Sequence, residues 1–243
     1  MFIHYRTEGF IFKKEDRGES NQLFIIFSKD FGKLEILAKA IRKISSKLRS
    51  GMEIFYLSDI EFIQGKNYKT LTDAILIEKF ENLRKDLRRL NIGYKIAEVL
   101  DNFVRGQEAE EKILQLILEV FQKLNNLQFK IYNLQLIYHY FFWNLVSILG
   151  YKPELYNCSI CQKILKPENI YFSEKEGGVI CQECLLKTKK ALAVPSEIIK
   201  ILRLILEKDW QILSKLKVEN DHLKYLDIIS KKYSSFIYEN KNF

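Results

Sequence analysis

The feature that most constrains this chain is the placement of its cysteines. All four, Cys158, Cys161, Cys181 and Cys184, fall in one short segment with the spacing C-x2-C-x19-C-x2-C. Each C-x2-C makes a tight turn that aims two sulfurs at one point, and two such turns facing each other supply a tetrahedral set. Zn²⁺ suits four thiolates, and a filled set leaves no position for water, so the expected metal is structural and not catalytic. A redox pair is the alternative for one C-x-x-C, but two occur together and neither opens a βαβ unit. Gly177-Gly178 precedes the second pair and predicts the turn of a small hairpin between Tyr171-Phe172 and Val179-Ile180, an arrangement like a zinc ribbon.

Upstream, the glycines mark a different architecture. Gly9, Gly18, Gly32, Gly51 and Gly65 are half of the chain's ten, and they separate short alternating or wholly apolar runs: Tyr5 to Lys13, Gln22 to Ser28, Lys33 to Lys39, Met52 to Gln64 and Thr70 to Phe80. Leu34, Ile36 and Ala38 alternate with Glu35 and Leu37, which places the first three on one strand face. Asp16-Arg17-Gly18-Glu19 and Lys29-Asp30-Phe31-Gly32 have the composition of hairpin turns. Five or six short strands in residues 1–80 predict a small closed barrel. The pattern does not separate an OB-fold from an SH3-like barrel.

After Phe80 the apolar period becomes helical. Leu83, Leu87 and Leu90 recur, followed by Ile96, Val99, Leu100 and Phe103, then by Ile113 through Leu124. Gly93 and Gly106 are expected near helix ends. A long apolar helix from about 127 to 149 stops at Gly150 and Pro153. The three prolines bracket the cysteines, and helices resume at Ile198–Leu206 and Leu223–Tyr238. The expected organisation is residues 1–80 as the barrel, 81–152 as the first part of a helical domain, 153–192 as a four-cysteine insert and 193–243 as the rest of that helical domain.

The chain carries a formal charge of +8. Within residues 29–49, seven cations (Lys29, Lys33, Lys39, Arg42, Lys43, Lys47 and Arg49) face only Asp30 and Glu35. A barrel loop this basic fits a groove for a phosphate backbone, with Ser45-Ser46 as further hydrogen-bond donors, or else a solvated charged loop. Charge alone does not choose. A second cluster, Arg84, Lys85, Arg88 and Arg89, reads as a solvent-facing helix surface opposite Leu83, Leu87 and Leu90, with nucleic-acid contact as the alternative.

Residues 131–151 lack Asp, Glu, Lys and Arg, yet Asn133, Gln135, His139 and Asn144 interrupt them. That mixture predicts a central buried helix whose polar groups find partners in the core, and not a membrane span. The N-terminal residues do not form a secretory signal, so a cytoplasmic protein is expected. His4, His139 and His222 share no motif, no nucleotide-binding or hydrolase signature occurs, and no carboxylates are grouped to hold Mg²⁺. An enzyme is not expected.

The ordered motifs resemble one family. Thr7-Glu8-Gly9-Phe10, Gly18-Glu19-Ser20, Phe31-Gly32-Lys33 and Ala38-Lys39-Ala40 are followed by Leu149-Gly150-Tyr151-Lys152-Pro153-Glu154-Leu155 and both cysteine pairs. Together they resemble the RecO family of recombination mediators over about residues 5–210. The resemblance implies an α+β multidomain protein: an N-terminal OB-fold, then an all-α domain with a zinc-ribbon-like insert. It implies structural Zn²⁺ on the four cysteines and no catalytic residues. It also implies binding and annealing of single- and double-stranded DNA, contact with RecR and the single-stranded DNA-binding protein, and help in loading RecA, with RecF reached indirectly. The family's basic OB loop maps onto Lys39 to Arg49, so the implied DNA-contacting set is Lys39, Arg42, Lys43, Lys47 and Arg49, with Lys33 from the same window. One departure is visible: the family's glycine in its A-K-G segment is Ala40 here, followed by Ile41. The competing reading is a zinc-ribbon protein–protein adaptor that does not bind DNA.

Overall fold

The computed structural model describes residues 3–65, 68–106, 110–126, 134–188 and 191–240. Five strands, β1 (His4–Arg17), β2 (Asn21–Ser28), β3 (Gly32–Ala38), β4 (Leu57–Gln64) and β5 (Lys69–Glu78), close into a barrel in the order β1-β2-β3-β5-β4. β3 and β5 run parallel and every other pair is antiparallel, which is the connectivity of an OB barrel and resolves the choice left by the sequence.

β1 closes the barrel because it serves two neighbours. Its first half pairs with β4 and its second half with β2. Gly9 lies in both ladders, opposite Ser28 and Ser58, and a Cβ there would stand 3.0 Å from Ile26 and 3.2 Å from Ile60. Past Gly9 the β1–β2 register shifts between Ile11 and Lys13, bending the strand. Ile11 then bonds a segment outside the strands: its N–H donates to the Tyr56 carbonyl (2.9 Å) and its carbonyl accepts from the Phe55 N–H (2.6 Å). For this reason Met52 to Tyr56, expected as strand, instead forms a cap on the barrel, with Met52 and Phe55 buried. The turns at Gly18 and Gly32 hold positive φ (69° and 61°), as the turn chemistry predicts.

Three helices, α1 (Glu81–Arg84), α2 (Leu87–Phe103) and α3 (Glu111–Asn125), join the barrel in one compact unit covering residues 1–127. The sequence pattern groups them with the later helices; the structure shows why they side with the barrel. Phe10 of β1, Phe55 of the cap and Phe80 converge on Phe121 of α3 at ring-centroid separations of 4.5, 5.1 and 5.8 Å. Gly93 is inside α2 and not at its end. A Cβ there would lie 3.3 Å from the Phe55 ring, so the glycine makes room for the cluster.

The second unit, residues 128–243, contains α4 (Leu134–Ile148), the strands β6 (Ile170–Ser173), β7 (Gly178–Cys181) and β8 (Leu192–Ala193), and the helices α5 (Gln182–Leu185), α6 (Ser196–Leu206), α7 (Trp210–Leu213) and α8 (Asn220–Asn240). α4 is its centre, with Trp143 stacked on Tyr233 of α8 at 5.1 Å and edge-on to Phe172 of β6 at 6.0 Å. Gln135, His139 and Asn144 of α4 find partners, as expected. Asn144 donates to the Ile205 carbonyl (3.0 Å), and buried His139 shares a hydrogen bond with Ser230 (3.1 Å) and faces Asp227 (3.2 Å). Asn133 lies outside the described residues. No described helix is long and apolar enough to cross a membrane.

Candidate nucleic-acid interface and metal-binding knuckle

The basic loop leaves β3 at Ala38 and is built by local hydrogen bonds. Asn21 Oδ1 accepts the Ala40 N–H (2.8 Å), and the Ser20 carbonyl accepts that of Arg42 (3.0 Å). Ala40 adopts φ 52°, the left-handed region where a glycine would carry no Cβ penalty. The turn therefore holds an alanine in a conformation that favours glycine. A short 3-10 turn, Lys47–Ser50, follows. Gly51 then approaches β5 so closely that a Cβ would meet the Ala74 carbonyl oxygen at 2.4 Å.

The structure brings Lys39, Arg42, Lys43, Lys47 and Arg49 together on this loop, all exposed. Arg42 pairs with Asp16 (3.2 Å); the other four make no ion pair among the described residues. Beside the loop a cavity of about 320 Å³ is lined by Lys14, Arg42, Arg49, Glu53 and Tyr56. Glu53 sits here as the counter-charge. Burial acts to raise its pKa, but the Lys14 ammonium (2.5 Å) and the Ile54 N–H hold its carboxyl below the usual range.

Lys33 is placed elsewhere. Its ammonium donates to Asp101 Oδ1 (2.8 Å) and to the Asp101 carbonyl (2.9 Å), with Lys13 on the other carboxylate oxygen (2.8 Å). Burial raises the Asp101 pKa, yet the two lysines outweigh it and the group stays below the ordinary aspartate range. Lys33 thus joins the barrel to α2, a role its neighbours in sequence do not share.

In the second basic cluster Arg84, Lys85 and Arg88 are exposed as expected, but Arg89 is not. α1 ends at Arg84, and Asp86 restarts the chain as the N-cap of α2 by accepting the Arg88 N–H (2.9 Å). The phase set by Leu83 is lost across this break. Leu87 is exposed and Arg89 is buried, the reverse of the expected faces. Arg89 Nη1 donates to the carbonyls of Leu124 (2.7 Å) and Asn126 (2.9 Å) at the end of α3. Arg84 lies over the Tyr56 ring at 5.0 Å and bonds the Ile54 carbonyl.

The cysteine knuckle forms as the spacing predicts. β6 and β7 make the hairpin, with Tyr171 opposite Ile180 and Phe172 opposite Val179. Gly177 turns it at φ 68°. Gly178 lets Glu154 approach: a Cβ would meet the Glu154 carbonyl oxygen at 2.2 Å, and Val179 N–H donates to that same oxygen at 2.9 Å. This contact docks the first cysteine turn against the hairpin. The four sulfurs all lie within 4.8 Å of one another, with Cys161 Sγ and Cys181 Sγ 3.8 Å apart. Metal–sulfur bonds of about 2.3 Å in a tetrahedron require sulfurs about 3.8 Å apart, whereas a disulfide requires about 2.05 Å.

The electrostatics fit a cation. Burial acts to raise the Cys158 thiol, but the N–H groups of Cys161, Cys181 and Ile160 overcome it and bring the pKa to about 6. Cys184 is pushed up to about 12 by burial and by its sulfur neighbours. With Cys158 drawn toward the thiolate by backbone N–H groups and Cys184 held back by burial and its sulfur neighbours, a divalent ion at their centre would stabilise the thiolates. The residues that would hold it are Cys158, Cys161, Cys181 and Cys184.

Comparison with known proteins matches this architecture along its length. The family described as "Recombination protein O N terminal" matches residues 1–80, and "Recombination protein O C terminal" matches residues 84–241. Proteins named DNA repair protein RecO are similar throughout. One from Dehalococcoides mccartyi (strain ATCC BAA-2266 / KCTC 15142 / 195) is 30% identical, covering 97% of this chain and 91% of its own. Another, from Thermoanaerobacter sp. (strain X514), is 28% identical over 94% and 90%. A third, from Roseiflexus sp. (strain RS-1), is 28% identical over 88% and 74%. An OB barrel with appended helices and a four-cysteine knuckle, matched from end to end in this way, defines a DNA repair protein. The chain belongs to the RecO family.

Proposed function

We propose that this chain is a non-enzymatic recombination mediator of the cytoplasm. It binds single- and double-stranded DNA on the loop Lys39–Arg49 of its OB barrel, anneals complementary strands, and engages RecR and the single-stranded DNA-binding protein to help load RecA, with RecF reached indirectly. The observation that carries the DNA-binding reading is the loop itself: five exposed cations on one barrel edge, four of them with no ion pair among the described residues. Such cations neutralise phosphates and release counterions, and a shared basic surface lowers repulsion between two strands. Lys33 contributes to the same field while held at Asp101. Zn²⁺ is the ion we assign to the four cysteines, in a structural role.

The test is DNA affinity as a function of salt, for wild type and for a variant with Lys39, Arg42, Lys43, Lys47 and Arg49 changed to Glu. Each phosphate neutralised on a single strand contributes about 0.7 to the negative log–log salt slope. A steep slope in wild type and a flat one in the folded variant support the reading. Equal binding by both places the DNA elsewhere. If wild type binds no DNA at low salt, the protein–protein adaptor replaces the mediator.

A further inference from the structure

The basic loop holds one side chain that neither phosphate binding nor folding explains. Of its apolar residues, Ile41 and Met52 are buried and Leu48 packs against the barrel core. Ile44 is 95% exposed, the one exposed large apolar side chain between residues 39 and 56. Its exposure is built in. The Lys43 N–H donates to the Ala40 carbonyl (3.1 Å), and the Ser46 N–H donates to the Lys43 carbonyl (3.0 Å). The second of these turns puts Ile44 and Ser45 at its corner, where polar residues and glycine are usual. On either side stand Lys39, Arg42, Lys43, Lys47 and Arg49.

Proteins that hold single strands on OB barrels usually present aromatic rings to the bases. Here no ring stands exposed on the loop itself, and half-buried Tyr56 only lines the cavity beside it. Phe10, Phe12, Phe24, Phe27, Phe55 and Phe62 are buried, and Tyr56 is partly buried beneath Arg84. The exposed Tyr68 lines a different cavity, with Lys33 and Lys69. Apart from the sugar carbons, the apolar surface that nucleic acid offers a group at the apex of a phosphate-binding loop is on the bases, their faces and the thymine methyl.

We propose that Ile44 is the base-contacting residue of the loop, an inference that rests on the loop's binding DNA. Phosphates of a single strand lie on the surrounding cations, and the Ile44 side chain lies against the exposed faces of one or two bases. An aliphatic contact does not read sequence, and it leaves the pairing edges of the bases open to a complementary strand. A duplex hides its base faces, so Ile44 adds affinity for single strands alone.

The experiment compares three labelled probes: a thymidine oligonucleotide, an abasic oligonucleotide with the same number of phosphates, and a duplex of equal length. Wild type is expected to prefer the thymidine strand over the abasic one by roughly fivefold, the effect of burying part of one aliphatic side chain. Ile44→Ser should remove that preference while abasic and duplex affinities and the salt slope stay unchanged; Ile44→Leu should retain it. The proposal is overturned if wild type binds both strands equally, if Ile44→Ser keeps the preference, or if it weakens all three probes alike. If wild type binds none of the three, the DNA-binding reading itself falls, and the base contact with it.

Discussion

The guanidinium of Arg89, buried on α2, donates to the Leu124 carbonyl at 2.7 Å and so caps the end of α3 from inside the barrel unit. The last carbonyls of a helix have no partners within it, and here one side chain from another helix satisfies two of them. Arg89→Met is expected to destabilise the protein by about 3 kcal/mol, since it leaves the buried Leu124 carbonyl without its donor. Arg88→Ala, at the neighbouring but exposed residue, should cost about 0.5 kcal/mol or less. Chemical denaturation of the two variants checks this, and equal midpoints would place Arg89 outside the core.

Ala40 stands at φ 52° at the root of the basic loop. Ala40→Gly relieves the left-handed Cβ strain of roughly 1 kcal/mol, partly offset by the added freedom of glycine in the unfolded chain. A small rise in thermal midpoint is expected, with DNA affinity unchanged. A fall would show that the loop draws on the alanine methyl for packing.

Asp101 joins Lys13 and Lys33 to α2. Its folded pKa lies below the unfolded value, so its contribution is fully present above about pH 4 and is lost as pH falls through the lower, folded value. Asp101→Asn should cost on the order of 2 kcal/mol at neutral pH. The gap between variant and wild type should close at acid pH. A gap that persists there would assign the effect to packing and not to charge.

The knuckle should hold one zinc per chain, measurable by elemental analysis. Cys158→Ser should lose the metal and unfold residues 153–192 locally, seen as fast hydrogen exchange of the β6–β7 amides. Gly178→Ala offers a test that leaves every sulfur in place. The added methyl meets the Glu154 backbone, so metal affinity should fall although the ligands are intact. Retention of wild-type affinity would mean that the Glu154 contact does not position the first cysteine turn.

The cysteine spacing, the alternation of Leu34, Ile36 and Ala38, and the Gly177-Gly178 hairpin were legible because each is a local pattern with one geometric solution. Arg89 was not. Leu83, Leu87 and Leu90 repeat at helical spacing, and nothing in that spacing marks Asp86 as the start of a second helix with a new phase. Asp86 itself, a capping residue ahead of an apolar run, was the available signal. Lys33 could not be told from the other cations, because its partner Asp101 is distant in sequence. Ile44 looks like any other isoleucine until the turn that holds it outward is known.

The meeting of Phe10, Phe55 and Phe80 on Phe121 has a consequence for how this chain can be divided. The two family matches part near residue 80, but a fragment ending there would turn an aromatic face toward water and invite aggregation. The smallest piece expected to live independently ends after α3, near residue 126. Swapping barrels between relatives at the family boundary would pair one protein's Phe10 with another's residue at position 121, so the helices have to be inherited with the barrel they cover.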